Sequence, residues 1–394
     1  MKNVLLASYI IVFFSQFAVA DNSFIHNVDV RGNTGSGVRG FTEYQKLQGS
    51  VFGEIEVHWQ SESTNNSFTT TLFGRMDSLD SERTHADIRE FMWLYYTDSW
   101  EIKAGIGKVF WGVTESAHRV DIINQTDSVE TPDGEAKLGQ PMINWSGIYH
   151  WGTVDAFVLP YFRERTLASI DSPLNIGLFI SDAIYESDKK QEHTDYALRY
   201  SQTVGVWDLG LSYFKGTDRA PVLAPVVNSE GIQLVPYYLQ IEQAGLEVQA
   251  TLGSWLWKLE AIHQENNRRN YAALTAGFEY TLISIADSAK DLGLLVELHR
   301  DSRNGQADDP LQHDLFVGAR LTFNDISDTA FLVGVIQDLT DSDSRLAFIE
   351  ASRRMGDDWT VSLDGRMYLS ETPENIIYGL RKADHITLEA TYHF

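Results

Sequence analysis

The stretch from Phe110 to Gln140 gathers six carboxylates, Glu115, Asp121, Asp127, Glu130, Asp133 and Glu135, against only Arg119 and Lys137. Carboxylates at that density could hold cations, move protons or set up an electric field. Three bases earlier in the chain, Arg75, Arg89 and Lys103, fall on the polar face of alternating segments. An acidic loop set against such a basic wall would create a transverse field that orders water and disfavours apolar solutes. A loop that is merely solvated has the same composition. Ala117, Val120 and Ile123 recur at helical spacing, so a short helix is expected to lay an apolar stripe on a wall and leave the carboxylates free.

Other chemistries find little support. The chain has no cysteine, which removes disulfides, thiolate metal sites and thiol nucleophiles. Its eleven histidines form no HExxH pair, and His118, His193, His263 and His299 have no nucleophile motif beside them, so neither a metal nor a cofactor is expected. Gly105-Ile106-Gly107-Lys108 lacks the spacing and the hydroxyl of a phosphate loop. "TDSDSR" (340–345) and "PDGE" (132–135) fall short of a calcium loop and read as polar turns. A formal charge of −24 argues against a nucleic-acid partner.

Residues 1–20 have the features of an export signal: Lys2, the apolar run Val4 to Phe14, and Ala18-Val19-Ala20 for cleavage. The run is short of the roughly 20 apolar residues that span a bilayer. Residues 21–394 contain no apolar stretch long enough for a membrane helix, and mean hydropathy is negative. What recurs instead is period-two alternation over about ten residues, near 38–47, 51–60, 67–76, 86–96, 100–109, 141–150, 153–163, 193–203, 206–215, 240–252, 255–265, 271–281, 290–299, 313–323, 328–338, 345–354, 357–368 and 384–394. The expected fold is all-β, a transmembrane antiparallel barrel of about eighteen strands, with sixteen as the alternative count. Short turns such as 97–99, 253–254 and 356–358 alternate with long loops such as 110–140, 164–192 and 216–239, as they do in a barrel with one plain rim and one elaborate rim. Trp100, Trp207, Trp255 and Trp359 each follow a short turn on the apolar face, which suits a girdle at a membrane–water interface.

The last ten residues, "HITLEATYHF", place Ile386, Leu388, Ala390, Tyr392 and Phe394 on one face. Here the sequence resembles Gram-negative outer-membrane β-barrels, whose final strand ends in Phe. That resemblance implies Phe394 as a recognition signal for the barrel-assembly machinery and the cell outer membrane as the location. A second stretch, "GKVFWGVTESAHRVDIINQTD" (107–127), resembles an uncharacterised proteobacterial porin-like family that implies no functional residue. In the trimeric porins that the architecture resembles, the third outer loop folds inward, which implies that 110–140 constricts the lumen between Glu115, Asp121 and Asp127 and the bases Arg75, Arg89 and Lys103. A barrel of this size holds water unless plugged, so the expected function is a porin for passive diffusion of small hydrophilic solutes. Membrane lipid and lipopolysaccharide are the expected partners, and homotrimer formation is left open. The alternatives are an outer-membrane lipase or protease, or a closed barrel that displays acidic loops.

Overall fold

The alternating segments become strands because each has one face that suits lipid and one that suits the interior. Eighteen strands form a single antiparallel sheet, and Val28–Phe41 pairs with both Lys46–Gln60 and His385–His393, which closes it into a barrel. This computed structural model describes residues 27–62, 64–229, 231–303 and 310–394. The expected signal peptide, 1–20, and the start of the mature chain lie outside the described residues.

Side-chain exposure follows the alternation. On Trp207–Thr217, Trp207, Leu209, Leu211 and Tyr213 are exposed, whereas Phe214 is buried. On His385–His393, Ile386 and Leu388 are exposed, whereas His385 is buried and Glu389 lines an interior cavity. Trp100, Trp207, Trp255 and Trp359 each open a strand and are exposed. Tyrosines extend this aromatic belt, Tyr95 against Trp100, Tyr280 against Trp255 and Tyr392 against Trp359.

The tight turns use glycine where the backbone must be left-handed: Gly205 and Gly253 have φ of +63° and Gly356 of +72°. At the opposite rim lie residues 108–139, 160–194, 218–239 and 370–384. Loops 160–194 and 218–239 build a second, four-stranded sheet, in which the hairpin Val222–Asn228 and Gly231–Tyr238 is extended in parallel by Phe179–Ile180 and Ile184–Tyr185. This sheet lies in loops expected to be polar connections, and two of its strands are only two residues long, too short to show alternation.

The first strand begins N-terminal to the alternation that suggested it. It was expected near 38–47 and instead runs from Val28 to Phe41, so the first outer turn is Thr42–Gln45. Gly32, Gly35, Gly37 and Gly40 interrupt its apolar pattern, and two of them make room for aromatic rings. A Cβ on Gly32 would lie 2.5 Å from the Phe394 ring, and one on Gly35 would lie 2.4 Å from the Phe52 ring. The chain end is held there by paired backbone bonds, Gly32 N–H to Phe394 O at 3.0 Å and Phe394 N–H to Gly32 O at 2.9 Å.

Candidate functional site: the segment inside the barrel

Residues 108–139 connect Trp100–Gly107 to Gln140–Tyr149 and touch strands far apart round the ring. Arg75 bonds Glu130, Arg89 pairs with Asp127, Glu260 and Glu297 accept from residues 113–120, and Arg366 reaches Asp133. One segment can meet all these strands only from within the barrel.

Irregular backbone in such a place needs partners for its N–H groups, since a buried unpaired donor is costly. Wall carboxylates supply them. Glu260 accepts from the N–H groups of Val113 (2.7 Å), Thr114 (3.0 Å) and Val120 (3.2 Å) and from the Thr114 hydroxyl (2.7 Å). Glu297 accepts from the N–H groups of Glu115 (2.7 Å) and Ser116 (2.9 Å) and from the Ser116 hydroxyl (2.5 Å). The expected helix does not form, and none of residues 108–139 is helical. Donors that a helix would satisfy internally go to the wall instead. The apolar stripe is still buried: Val120 and Ile123 join Trp111, Met92, Met142, Phe157, Phe214 and Ile262 in one cluster.

Of the six residues expected to face one another, Asp127 and Arg89 pair directly, and the other four find partners outside the set. Glu115 lines open space and pairs with Arg320 at 2.5 Å and Lys258 at 3.7 Å. Arg75 also lines it, held by Glu130 at 2.9 Å and Glu389 at 3.5 Å. Asp127 is fully buried, 2.7 Å from Arg89, and accepts the Thr166 hydroxyl at 2.7 Å. Asp121 is paired at 3.1 Å with Lys137 of its own segment. Lys103 is paired at 2.7 Å with Glu101 of its own strand. Asp121, Asp127 and Arg89 are thus taken up in fastening the segment.

Burial pushes the Asp121 carboxyl above its ordinary value despite Lys137 and the Trp111 N–H. Burial would raise Glu130 too, but the hydrogen bond from His85 and the charges of Arg75 and Arg83 outweigh it and hold that carboxyl low.

Ser116 Oγ also lies 3.0 Å from His299 Nε2, and Thr275 Oγ1 lies 3.0 Å from His299 Nδ1. Sequence spacing did not reveal this nucleophile-like contact. The Ser116 hydroxyl donates to Glu297, and the imidazole faces a hydroxyl where a catalytic triad would place a carboxylate. The contact fastens the segment.

The lumen is divided lengthwise. The buried cluster fills the side formed by strands between His85 and Leu282. On the other side lie two adjoining cavities of about 660 and 490 Å³, whose shared lining includes Glu115, Asp133, Glu135, Leu332, Glu350 and Arg366. The smaller reaches Ile376 and Leu380 of the outer loop 370–384, and the larger reaches Ser362 and Glu389. Where they meet, Arg366 bonds Asp133 at 2.8 Å, Glu350 at 2.6 Å and Asp364 at 2.9 Å.

No family model and no curated protein matches the sequence. Solved structures do match in fold. The crystal structure of OccD3 (OpdP) from Pseudomonas aeruginosa superposes with a TM-score of 0.56 at 11% identity, covering 94% of this chain and 92% of that one. OccK5 (OpdH) from the same organism gives 0.55 at 10%, covering 94% and 99%. OccK11 (OpdR), also from P. aeruginosa, gives 0.53 at 10%, covering 93% and 95%. The chain shares their fold, a closed antiparallel β-barrel of eighteen strands.

Several cavity residues of this barrel were not singled out from sequence. Arg320, Arg366 and Glu389 carried the inward parity that marks them, but nothing ranked them above other wall charges. Arg39 was hidden by the glycines of the first strand, and Arg83 lies in a loop where parity gives no signal.

Proposed function

We propose that the chain is an outer-membrane channel for passive diffusion of small hydrophilic solutes, with segment 108–139 as its constriction. The supporting observation is the pair of charged cavities between that segment and the strands from Ala330 to His393. A passage there is off-centre and is bounded by Glu115, Asp133, Glu135 and Glu350 on one hand and Arg39, Arg75, Arg83, Arg320 and Arg366 on the other. The test is the purified chain in a planar bilayer: stepwise currents in KCl support the channel, and a silent, correctly folded barrel supports a closed display protein.

The same reading assigns the exterior. Trp100, Trp207, Trp255 and Trp359 anchor the barrel at the inner interface, where indole keeps its N–H near water. Phe394 serves the barrel-assembly machinery, and deleting it should lower the outer-membrane level and raise periplasmic degradation. Acidic outer loops bind divalent cations that bridge to lipopolysaccharide, and homotrimer formation is tested by cross-linking in native membranes.

A further inference from the structure

The outer cavity has two unlike walls. One is apolar, with Ile336, Leu346, Phe348, Tyr368, Ile377 and Leu380. The other carries Glu115, Asp133, Glu135 and Glu350. Their charges are unevenly compensated. Glu115 has Arg320 at 2.5 Å and shares Lys258 with Glu279, whereas the single guanidinium of Arg366 serves Asp133, Glu350 and Asp364 together. Glu135 is paired with His118 at 2.9 Å. Glu135 and Glu350 remain open to solvent, their side chains 53% and 43% exposed. The excess of negative charge continues inward, where seven carboxylates and five guanidiniums line the larger cavity.

Apolar walls facing a water-filled passage gain free energy when an apolar surface covers them. Carboxylates shared among too few cations gain when a further cation approaches. An inorganic cation meets only the second need, a neutral apolar solute only the first, and an organic anion is repelled. We propose that this outer cavity is a binding station for organic ammonium ions carrying an apolar group, with the ammonium at Glu135 and Glu350 and the apolar group against Leu346, Phe348 and Ile377. This rests on the channel reading above.

The test uses the full barrel in a planar bilayer in KCl, with benzylammonium, methylammonium or benzoate added on the side of the long loops. Benzylammonium should interrupt the current at concentrations about tenfold lower than methylammonium, as burial of one small apolar group gives, and benzoate should not interrupt it. Glu350→Gln with Glu135→Gln should weaken the benzylammonium block by up to about fivefold, the range for half-exposed ion pairs. Leu346→Ser with Ile377→Ser should weaken the benzylammonium block and leave that of methylammonium unchanged. The ranking of the three probes on the unmodified protein does not depend on any variant folding. If benzoate blocks as well as benzylammonium, or methylammonium blocks as well, the proposal is overturned. Absence of KCl steps overturns the channel reading and this proposal with it; KCl steps without the ranking overturn this proposal alone.

Discussion

The two sides of the lumen share one sheet, one alternation of side chains and one inserted segment, yet one is packed and the other holds the cavities. Inward positions on the packed side include Met92, Met142, Phe157, Phe214 and Ile262, which close against Trp111, Val120 and Ile123, and the fastening groups Arg89 and Glu260. Inward positions on the other side include the apolar Ile336, Phe348 and Tyr368 but also Arg39, Arg75, Arg320, Glu350, Arg366 and Glu389, which need water or each other. Strand number sets how wide a barrel is, but the inward side chains decide how much of that width is available. The cavities are thus placed by residue type at alternate positions.

Truncation should therefore matter most on the packed side. Phe214→Ala should cost about 3–5 kcal/mol, as large aromatic deletions do in close-packed cores. Glu350→Ala, a half-exposed wall position, should change stability by about 0.5 kcal/mol or less. Urea unfolding in detergent micelles measures both, and equal losses would mean the two sides are packed alike.

Next in size is the fastening of the segment. Glu260→Ala strips the acceptor from three backbone N–H groups, each costing about 1–3 kcal/mol if left buried and unpaired. The segment should then leave the wall, seen as higher and noisier single-channel conductance. An unchanged current would mean that the segment stays in place without Glu260.

The third test separates fastening charges from cavity charges. Glu115→Gln should shift the reversal potential across a salt gradient toward anions, because Glu115 lines the cavities and screening confines charge effects to about 8 Å at physiological salt. Asp121→Asn and Asp127→Asn should leave it where it was, since those groups sit in ion pairs outside the cavity lining. A shift from the second pair as large as from the first would return them to the ion path.

Period-two alternation marked every barrel strand because each presents an apolar outer face and a different face to the lumen, and only the glycine-broken first strand was misplaced. The path of residues 108–139 was legible in part. Their acidic composition set the segment apart, but a loop's hydrogen bonds to Glu260 and Glu297 depend on which strands lie across the ring, and no local pattern encodes that. Helical spacing at Ala117, Val120 and Ile123 gave the right residues for burial at Val120 and Ile123 and the wrong backbone, because tertiary acceptors replaced the helix's own.

A smaller effect is expected at the membrane rim, which both sides share. Trp207→Ser with Trp359→Ser removes two exposed rings, one next to each side, so folded yield should fall while the conductance of surviving channels is unchanged. A conductance change would mean that these rings face the lumen.

The smallest effect concerns the clasp between His118 and Glu135, 2.9 Å apart in the segment that separates the two sides. Burial lowers the His118 imidazole, but the hydrogen bond and charge of Glu135, with Glu260 and Asp121, outweigh it and hold the group above its ordinary value of 6.5. Burial raises the Glu135 carboxyl, but His118, Lys137 and Arg366 outweigh it and hold that group below its ordinary value of 4.5. The raised histidine contributes stability that is fully present below pH 6.5 and lost as pH rises through its folded value; the depressed carboxylate contributes stability present above pH 4.5 and lost as pH falls through its own. The clasp is therefore complete between those values and loosens toward alkaline pH. With Glu135 half exposed, the change should stay below about 1 kcal/mol, visible as more current noise at alkaline than at mildly acidic pH. His118→Gln, which keeps a hydrogen-bond donor and removes the titration, should flatten the pH dependence of the noise. If the variant and the unmodified protein follow the same pH profile, the clasp does not hold the segment, and the division of the lumen rests on Glu260, Glu297 and the buried cluster alone.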